Sequence, residues 1–488
     1  MTATEVSPPS FRDQVRSAVI WRSGTQIFGQ LVAWGSTFLV IRILAPADYG
    51  LYAMSAVVLS LLNLMNGYGL ANALIQQREV TPLLLRQLFG MLIVLNGALA
   101  AIQFVAAPWI ADYYGQPIVA TMLRWQALIF LTNPFLALGY AILSRAMDFR
   151  RQAHVNIVSA LVGAAASLGG ALGGLGVWTL VVAPIAMFGS RALGMALAAR
   201  VLIWPSFDFR GAWGIAGFGG MVALSQLLYF VQTQSDVVIA GRALDPHALG
   251  LYTTALFLAQ IFVNKVVPPL NEVAFSAYAR VQDDPAAMAA GFLKSVRVIL
   301  LLAIPFCLGL ATTAQPLVQV VLGEKWLEAA SLLMLLALAM PFMTLHVLFA
   351  PATNAVGRPG IGTRTAALGA VVMLLAFLAG VRWGAPGIAA AWLVGYPALT
   401  AITAAWSLPA IGVRARELGQ AVLPPVLAGI AMGLAVFLLD QVVANLPALP
   451  RLAALVACGS TVYLGWLTTF ARPRLAEMLA MLKRSRPA

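Results

Sequence analysis

The sequence predicts an all-α polytopic membrane protein of about fourteen transmembrane helices. Two parallel six-helix bundles are expected, with two extra helices after them. Composition is the first observation: of 488 residues, 61% are apolar and 10% charged, where a soluble chain carries about 25% charged residues. The second is apolar run length. Stretches of about 20 residues recur along the chain, each long enough to cross a bilayer as a helix. The third is a repeated sentence. Arg42 to Tyr52 reads R-I-L-A-P-A-D-Y-G-L-Y, and Arg242 to Tyr252 reads R-A-L-D-P-H-A-L-G-L-Y, 200 positions later. Gln26 and Gln226 share the offset. That spacing is too long for a solenoid period and fits a duplicated transporter half.

Taken in order, residues 1–17 are polar, with Pro8, Pro9, Arg12 and Arg16 and no apolar core of a signal peptide, so they read as a cytoplasmic tail. The first half, 18–205, holds apolar segments at 19–41, 51–74, 87–107, 118–141, 155–174 and 178–200. The second half, 206–410, holds segments at 216–240, 249–271, 294–313, 330–350, 363–381 and 386–407. A two-helix hairpin, 411–471, adds segments at 421–439 and 452–470, and 472–488 is a basic tail. Runs this long and continuous read as helices and not as barrel strands.

The 30 basic residues set the orientation. About 23 lie in the tails and in the loops after even-numbered segments, among them Arg78, Arg86, Arg150, Arg151, Arg280, Arg297, Arg414 and Arg416. Five follow odd-numbered segments: Arg42, Arg242, Lys325, Arg382 and Arg451. Both termini are therefore expected in the cytoplasm. The net charge of +13 reads as topology and attraction to anionic lipid headgroups, without nucleic acid. Six segments separate the two copies of the motif, so both should face the outer side. Its chemistry is that of a turn: Pro46 and Pro246 at the first helical position, Gly50 and Gly250 for close approach, and Tyr52 and Tyr252 as interfacial aromatics.

With its first span ending in this motif, the chain resembles the Wzx-like polysaccharide/O-antigen flippases, in the polysaccharide transporter family of the multidrug/oligosaccharidyl-lipid/polysaccharide exporter superfamily. Further motifs carry the resemblance over roughly residues 15–410: Ser144 to Arg151; Asp236 with Gly241-Arg242; Ala314 to Val318 with Gly323 to Trp326; and Asn354 to Pro359. The resemblance implies flipping of a polyprenyl-pyrophosphate-linked oligosaccharide across a bacterial inner membrane by alternating access. It implies service to lipopolysaccharide, capsule or exopolysaccharide synthesis, and as partners membrane lipids, the lipid-linked oligosaccharide, a glycan polymerase and glycosyltransferases. The chain is expected to act as a monomer, with no cofactor beyond a coupling ion, H+ or Na+.

Polar side chains inside apolar spans mark candidate substrate contacts, because their burial in lipid is costly. In span 1, Arg22, Gln26, Gly29, Ala33, Ser36 and Thr37 share a helical face; in span 7, Ser225, Gln226, Tyr229, Gln232, Thr233 and Asp236 do the same. In span 8, Thr253, Gln260, Asn264 and Asn271 are nearly collinear. Spans 1 and 7 are equivalent under the repeat, so their stripes should face each other across the pseudo-axis. Amides and hydroxyls can replace the water around a sugar. Arg124, Arg145, Arg191 and Lys265 complete the candidates, arginine being a favoured partner of phosphate. Each has a bland reading too: interhelical glue for the stripes, snorkelling for Arg22, Arg124, Arg145 and Lys265, and a structural partner for Arg191. Asp236 is expected to pair with Arg42 or Arg242, with a cation or proton site as the alternative.

Other classes fit less well. A multidrug cation antiporter of the same superfamily would carry a carboxylate in the first or seventh span and usually twelve spans; span 1 here has none. An envelope enzyme needs a large outer loop. His154, His247 and His346 lie far apart, the cysteines Cys307 and Cys458 sit in apolar runs, and no phosphate-cradling loop occurs, so neither a metal site nor an ATPase or other catalytic constellation is expected. A non-transporting scaffold for glycan assembly remains as the other alternative.

Overall fold

A computed structural model describes residues 11–67, 69, 74, 80–201, 203–209 and 219–470, with the side chains of 11–23, 25–27 and 219–225 outside that description. Among the described residues all regular structure is helical. Nine helical stretches there are long and apolar enough to cross a membrane. The chain divides into two compact units, Met1–Leu227 and Leu228–Ala488.

The first unit contains α1 (Phe11–Ile43), α2 (Pro46–Asn63), α3 (Pro82–Tyr114), α4 (Pro117–Gln126), α5 (Leu128–Arg145), α6 (Phe149–Leu172) and α7 (Trp178–Ala198). Helix α8 (Gly219–Ala243) carries the chain into the second unit. There follow α9 (Pro246–Ala259), α10 (Ile261–Lys265), α11 (Val267–Ala279), α12 (Pro285–Thr312), α13 (Ala314–Val321), α14 (Ala329–Val347), α15 (Phe349–Ala355), α16 (Pro359–Gly380) and α17 (Gly384–Ile411). The C-terminal hairpin is α18 (Ala415–Val443) and α19 (Ala448–Phe470).

Proline opens several of these helices, where the missing N–H would have had no intrahelical partner: Pro46, Pro82, Pro117, Pro246, Pro285 and Pro359. The repeated motif uses it with two different caps. In the first copy Asp48 reaches back and accepts from the Ala45 N–H at 3.0 Å. In the second, Asp245 precedes the helix and accepts from the His247 and Ala248 N–H groups at 2.9 and 3.1 Å. Both serve the helix start, where backbone donors are unpaired and negative charge is favoured.

Three expected spans prove to be broken helices. Residues 118–141 divide at Ala127, 249–271 at Gln260 and Val266, and 330–350 at Leu348. In the latter two, nearby prolines contribute: Pro268, Pro269 and Pro351 cannot donate to the carbonyls four residues earlier. One such carbonyl is recaptured, since the Asn271 amide donates to Val347 O at 3.1 Å. The same device fixes the hairpin. Pro305 leaves Leu301 O without its helical donor, and the Tyr463 hydroxyl donates to it at 2.9 Å.

Within the first unit, buried amides link the helices. Asn96 donates to Asn66 O at 3.0 Å, and Asn133 donates to the Asn96 side chain at 3.3 Å. Gln103 donates to Leu123 O at 2.7 Å, and Gln126 to the Ser55 hydroxyl at 3.0 Å. Helix α6 meets α7 closely, with Gly163 against Met187 and Gly194 against Val155. The segment 203–209 after α7 is strapped to the start of α3. The Ser206 N–H donates to Arg86 O at 2.8 Å, Arg86 Nε to Trp204 O at 3.1 Å and Gln87 to Asp208 O at 2.7 Å.

Candidate functional site

Two polar assemblies, one in each unit, contain residues singled out in the sequence. The first unit contains an open cavity of about 440 Å³, within the range of about 300–1,000 Å³ usual for small-molecule sites. Gly29 and Ala33 of α1 form one wall; both belong to the polar and small-residue stripe of span 1. Tyr140 of α5 and Phe149, Gln152, Ala153, Asn156 and Ala160 of α6 form a second. Met187 and Arg191 of α7 complete it. Among these lining residues there is no carboxylate. Arg191 Nε donates to the Ser159 hydroxyl at 3.1 Å, and its guanidinium lies 5.9 Å from the Phe188 ring centre. Ser159 in turn donates to Asn156 O at 3.0 Å. Gln152 donates to Tyr140 O at 3.3 Å and to the Ser144 hydroxyl at 2.9 Å. The cavity is therefore lined by a cation, two amide side chains and the aromatic residues Tyr140 and Phe149.

The second assembly surrounds Asp236, which is fully buried. Its Oδ2 accepts from the Tyr252 hydroxyl at 2.6 Å, and its Oδ1 from the Val237 N–H at 2.7 Å. Trp392 Nε1 donates to the Tyr252 oxygen at 2.8 Å, and the indole stacks on Tyr396 at 5.2 Å and 8°. These partners are neutral, so the arginine partner read from the sequence is corrected. Tyr252 is corrected with it: the second motif's tyrosine is a buried bridge and not an interfacial aromatic, because the carboxylate one helix away needs a donor. Gln232 lies one turn before Asp236 and is also buried. Its amide and the Tyr396 hydroxyl are neighbours, yet neither makes a well-formed hydrogen bond among the described residues. A Cβ at Gly369 would collide with that amide.

The remaining candidates scatter. Arg22 and Gln26 have side chains outside the described residues. Arg124 is exposed and stands 5.2 Å over the Phe104 ring. Arg145 donates to Leu74 O at 2.9 Å. Gln226, Tyr229 and Lys265 are exposed. Gln260 accepts from Asn264 at 3.4 Å, a loose contact within one turn. The predicted collinear stripe of span 8 is divided over α9, α10 and α11, and Asn271 is tied to the broken helix beside it. Sequence reading missed Tyr140, Gln152 and Asn156 of the cavity and Trp392 and Tyr396 beside Asp236. A signal existed for two of them: Gln152 and Asn156 lie one turn apart in the polar first turns of a helix that becomes apolar after them.

Residues 39–331, more than half of the chain, match the family described as polysaccharide biosynthesis protein. The chain belongs to this family. It is similar to the succinoglycan biosynthesis transport protein ExoT of Rhizobium meliloti (strain 1021), at 26% identity over 95% of each chain. It is also similar to the lipopolysaccharide biosynthesis protein WzxC of Escherichia coli (strain K12), at 23% identity over 67% of each. Among solved structures, the lipid II flippase MurJ in an inward closed conformation superposes with a TM-score of 0.75 at 13% identity, over 94% of this chain and all of that one. An inward-facing multidrug resistance transporter of the MATE family gives 0.60 at 13% identity, over 81% and 98%. These two show the fold alone, one of membrane helices. The family member is thus a multi-pass bacterial membrane protein.

Proposed function

We propose that this polysaccharide biosynthesis family member flips a lipid-linked oligosaccharide across the bacterial inner membrane by alternating access. On this reading it is a transporter and not an enzyme, and it supplies surface polysaccharide synthesis alongside glycosyltransferases and a polymerase. The observation that carries the reading is the first unit's cavity. Amides, a tyrosine and an arginine inside a membrane-embedded unit suit a hydroxylated, anionic cargo. The relatives named for succinoglycan transport and lipopolysaccharide synthesis support the same cargo class. A cation antiporter is disfavoured, because Arg191, with no carboxylate among the described lining residues, repels cationic cargo.

The full proposed topology has fourteen spans, both termini in the cytoplasm and both repeated turns outside. The coupling ion is H+ or Na+, and Asp236 is its candidate site, since a lone carboxylate among neutral donors is costly when charged within a membrane. The test is reconstitution. Vesicles containing the protein should move a fluorescent polyprenyl-pyrophosphate oligosaccharide between leaflets, and cells lacking it should accumulate that lipid on the inner leaflet. Transfer no faster than in protein-free vesicles would sink the proposal.

A further inference from the structure

The core of the second unit carries a polar line along one face of α17. Trp392, Tyr396, Thr403 and Ser407 fall within about 60° of one another at 100° per residue, and all four are buried. Contacts from other helices join them. Asp236 of α8 meets Tyr252 of α9, which meets Trp392, and Gln232 of α8 adjoins Tyr396. From α14, the His346 ring stands edge-on to Tyr396, with ring centres 6.0 Å apart and planes at 79°. Its Nδ1 pairs with the Thr403 hydroxyl at 3.2 Å. His346 therefore belongs to the same assembly as Asp236, and the transport reading has given it no role.

Depth orders these groups. Asp236 lies seven residues before the end of α8. Tyr396 lies twelve residues after the start of α17, and His346 seventeen after the start of α14. All three helix ends are outer ends in the proposed topology, so the depths are about 10, 18 and 26 Å at 1.5 Å per residue. Ser407 comes one turn beyond Thr403, deeper still.

Hydrogen bonding along the line is incomplete. The Tyr396 and Ser407 hydroxyls and both polar atoms of Gln232 are buried without a partner among the described residues. Water commonly meets buried polar atoms of this kind. Both Asp236 oxygens face donors, the Tyr252 O–H and the Val237 N–H, whereas a hard cation needs oxygen ligands. Helix α14 packs against α9, α10, α12, α13, α15 and α17. The titratable and charged side chains there are His247 and Tyr252 of α9, Lys265 of α10, Lys294, Arg297 and Cys307 of α12, and Tyr396 of α17. Tyr396 is the one among them that meets the imidazole.

We propose that His346 and the polar face of α17 form a proton path through the second unit, with Asp236 as its outer station and His346 as its inner one. The proposal rests on the transport reading and deepens it by assigning H+ as the coupling ion. Water held by Gln232 and the Tyr396 hydroxyl takes a proton from Asp236 and hands one of its own on. An imidazole can accept a proton at one nitrogen while releasing the proton on the other. His346 passes it so to Thr403 and Ser407, towards the cytoplasmic end. Each hydroxyl and water ends with as many protons as it began. The imidazole ends as its other tautomer, which a ring flip resets, and Asp236 is left as the carboxylate that takes the next proton.

The test is transfer of the fluorescent polyprenyl-pyrophosphate oligosaccharide by full-length protein in vesicles whose membrane potential is clamped with potassium and valinomycin. An imposed pH gradient should speed transfer by the wild type, and a sodium gradient at uniform pH should not. In His346→Gln the rate with the pH gradient should fall to the rate without it. Tyr396→Phe should lose the acceleration too. That variant keeps the stack on Trp392 and removes only a hydroxyl with no partner among the described residues. Its melting temperature in detergent should match the wild type, so it decides the matter if His346→Gln fails to fold. A folded His346→Gln or Tyr396→Phe with the full pH response would overturn the proposal. So would a wild type that transfers but responds to sodium instead, or to neither gradient; transport itself would stand. Absence of transfer by the wild type sinks the transport reading beneath it.

Discussion

Tyr252 and Asp236 illustrate what one hydroxyl does in this protein. The Tyr252 oxygen donates to a buried carboxylate and accepts from Trp392, so removing it takes one hydrogen bond from each of two buried groups. Tyr252→Phe should destabilise the protein by about 1–3 kcal/mol, the desolvation cost of unsatisfied buried groups, read as a lower melting temperature in detergent. Asp236→Asn separates structure from coupling. It keeps an oxygen for Tyr252 but loses the titrating charge. If Asp236 binds the coupling ion, this variant should melt near the wild-type temperature while its transfer no longer responds to an imposed proton or sodium gradient. Retained gradient dependence would remove Asp236 from the mechanism. At the residue scale the sequence marks Asp236 and Gln232, because polar groups stand out in an apolar run, and the structure buries both. It did not reveal their partners, since Trp392 lies 140 positions from Tyr252 and nothing local marks it as a donor.

At the scale of the element, the informative residues are prolines and the side chains that repair them. Asn271 meets the carbonyl that Pro351 leaves unpaired, and Tyr463 meets the one that Pro305 leaves unpaired. Hydrogen bonds between membrane helices average about 0.6 kcal/mol and reach about 1.7. Asn271→Ala and Tyr463→Phe should each cost about that much. The cost should shrink when Pro351→Ala or Pro305→Ala restores the backbone donor, a coupling measured by double-mutant cycles of thermal unfolding. Equal costs in both backgrounds would refute the repair. Helix starts were legible in advance, because Pro46 and Pro246 announce them by a local rule. The breaks at Gln260, Val266 and Leu348 were less so: an apolar run looks continuous even where a proline interrupts its hydrogen bonds. Asn271 accordingly reads as part of a polar stripe, and the structure adds its bond to the Val347 carbonyl of a neighbouring helix.

At the scale of the whole molecule, the repeat and the distribution of basic residues gave an account of topology that accessibility can check. Single cysteines replacing Arg42 or Arg242, in a background lacking Cys307 and Cys458, should react with an impermeant maleimide added outside intact spheroplasts. Cysteines at Arg280 or Arg414 should react only after permeabilisation. Membrane class and family were legible because composition and motif order extend along the chain. The cavity was not, because its walls come from four separated segments and only Gly29, Ala33 and Arg191 had been singled out. Its role is the central claim. Ala33 lines it, and Ala33→Phe places a ring in its space. The most direct measurement is transfer of a fluorescent lipid-linked oligosaccharide in proteoliposomes containing wild-type or Ala33→Phe protein, with melting temperature confirming that the variant is folded. The account predicts protein-dependent transfer by the wild type and at least a tenfold loss in the variant, a barrier increase of roughly 1.4 kcal/mol. Transfer by folded Ala33→Phe at the wild-type rate would contradict it.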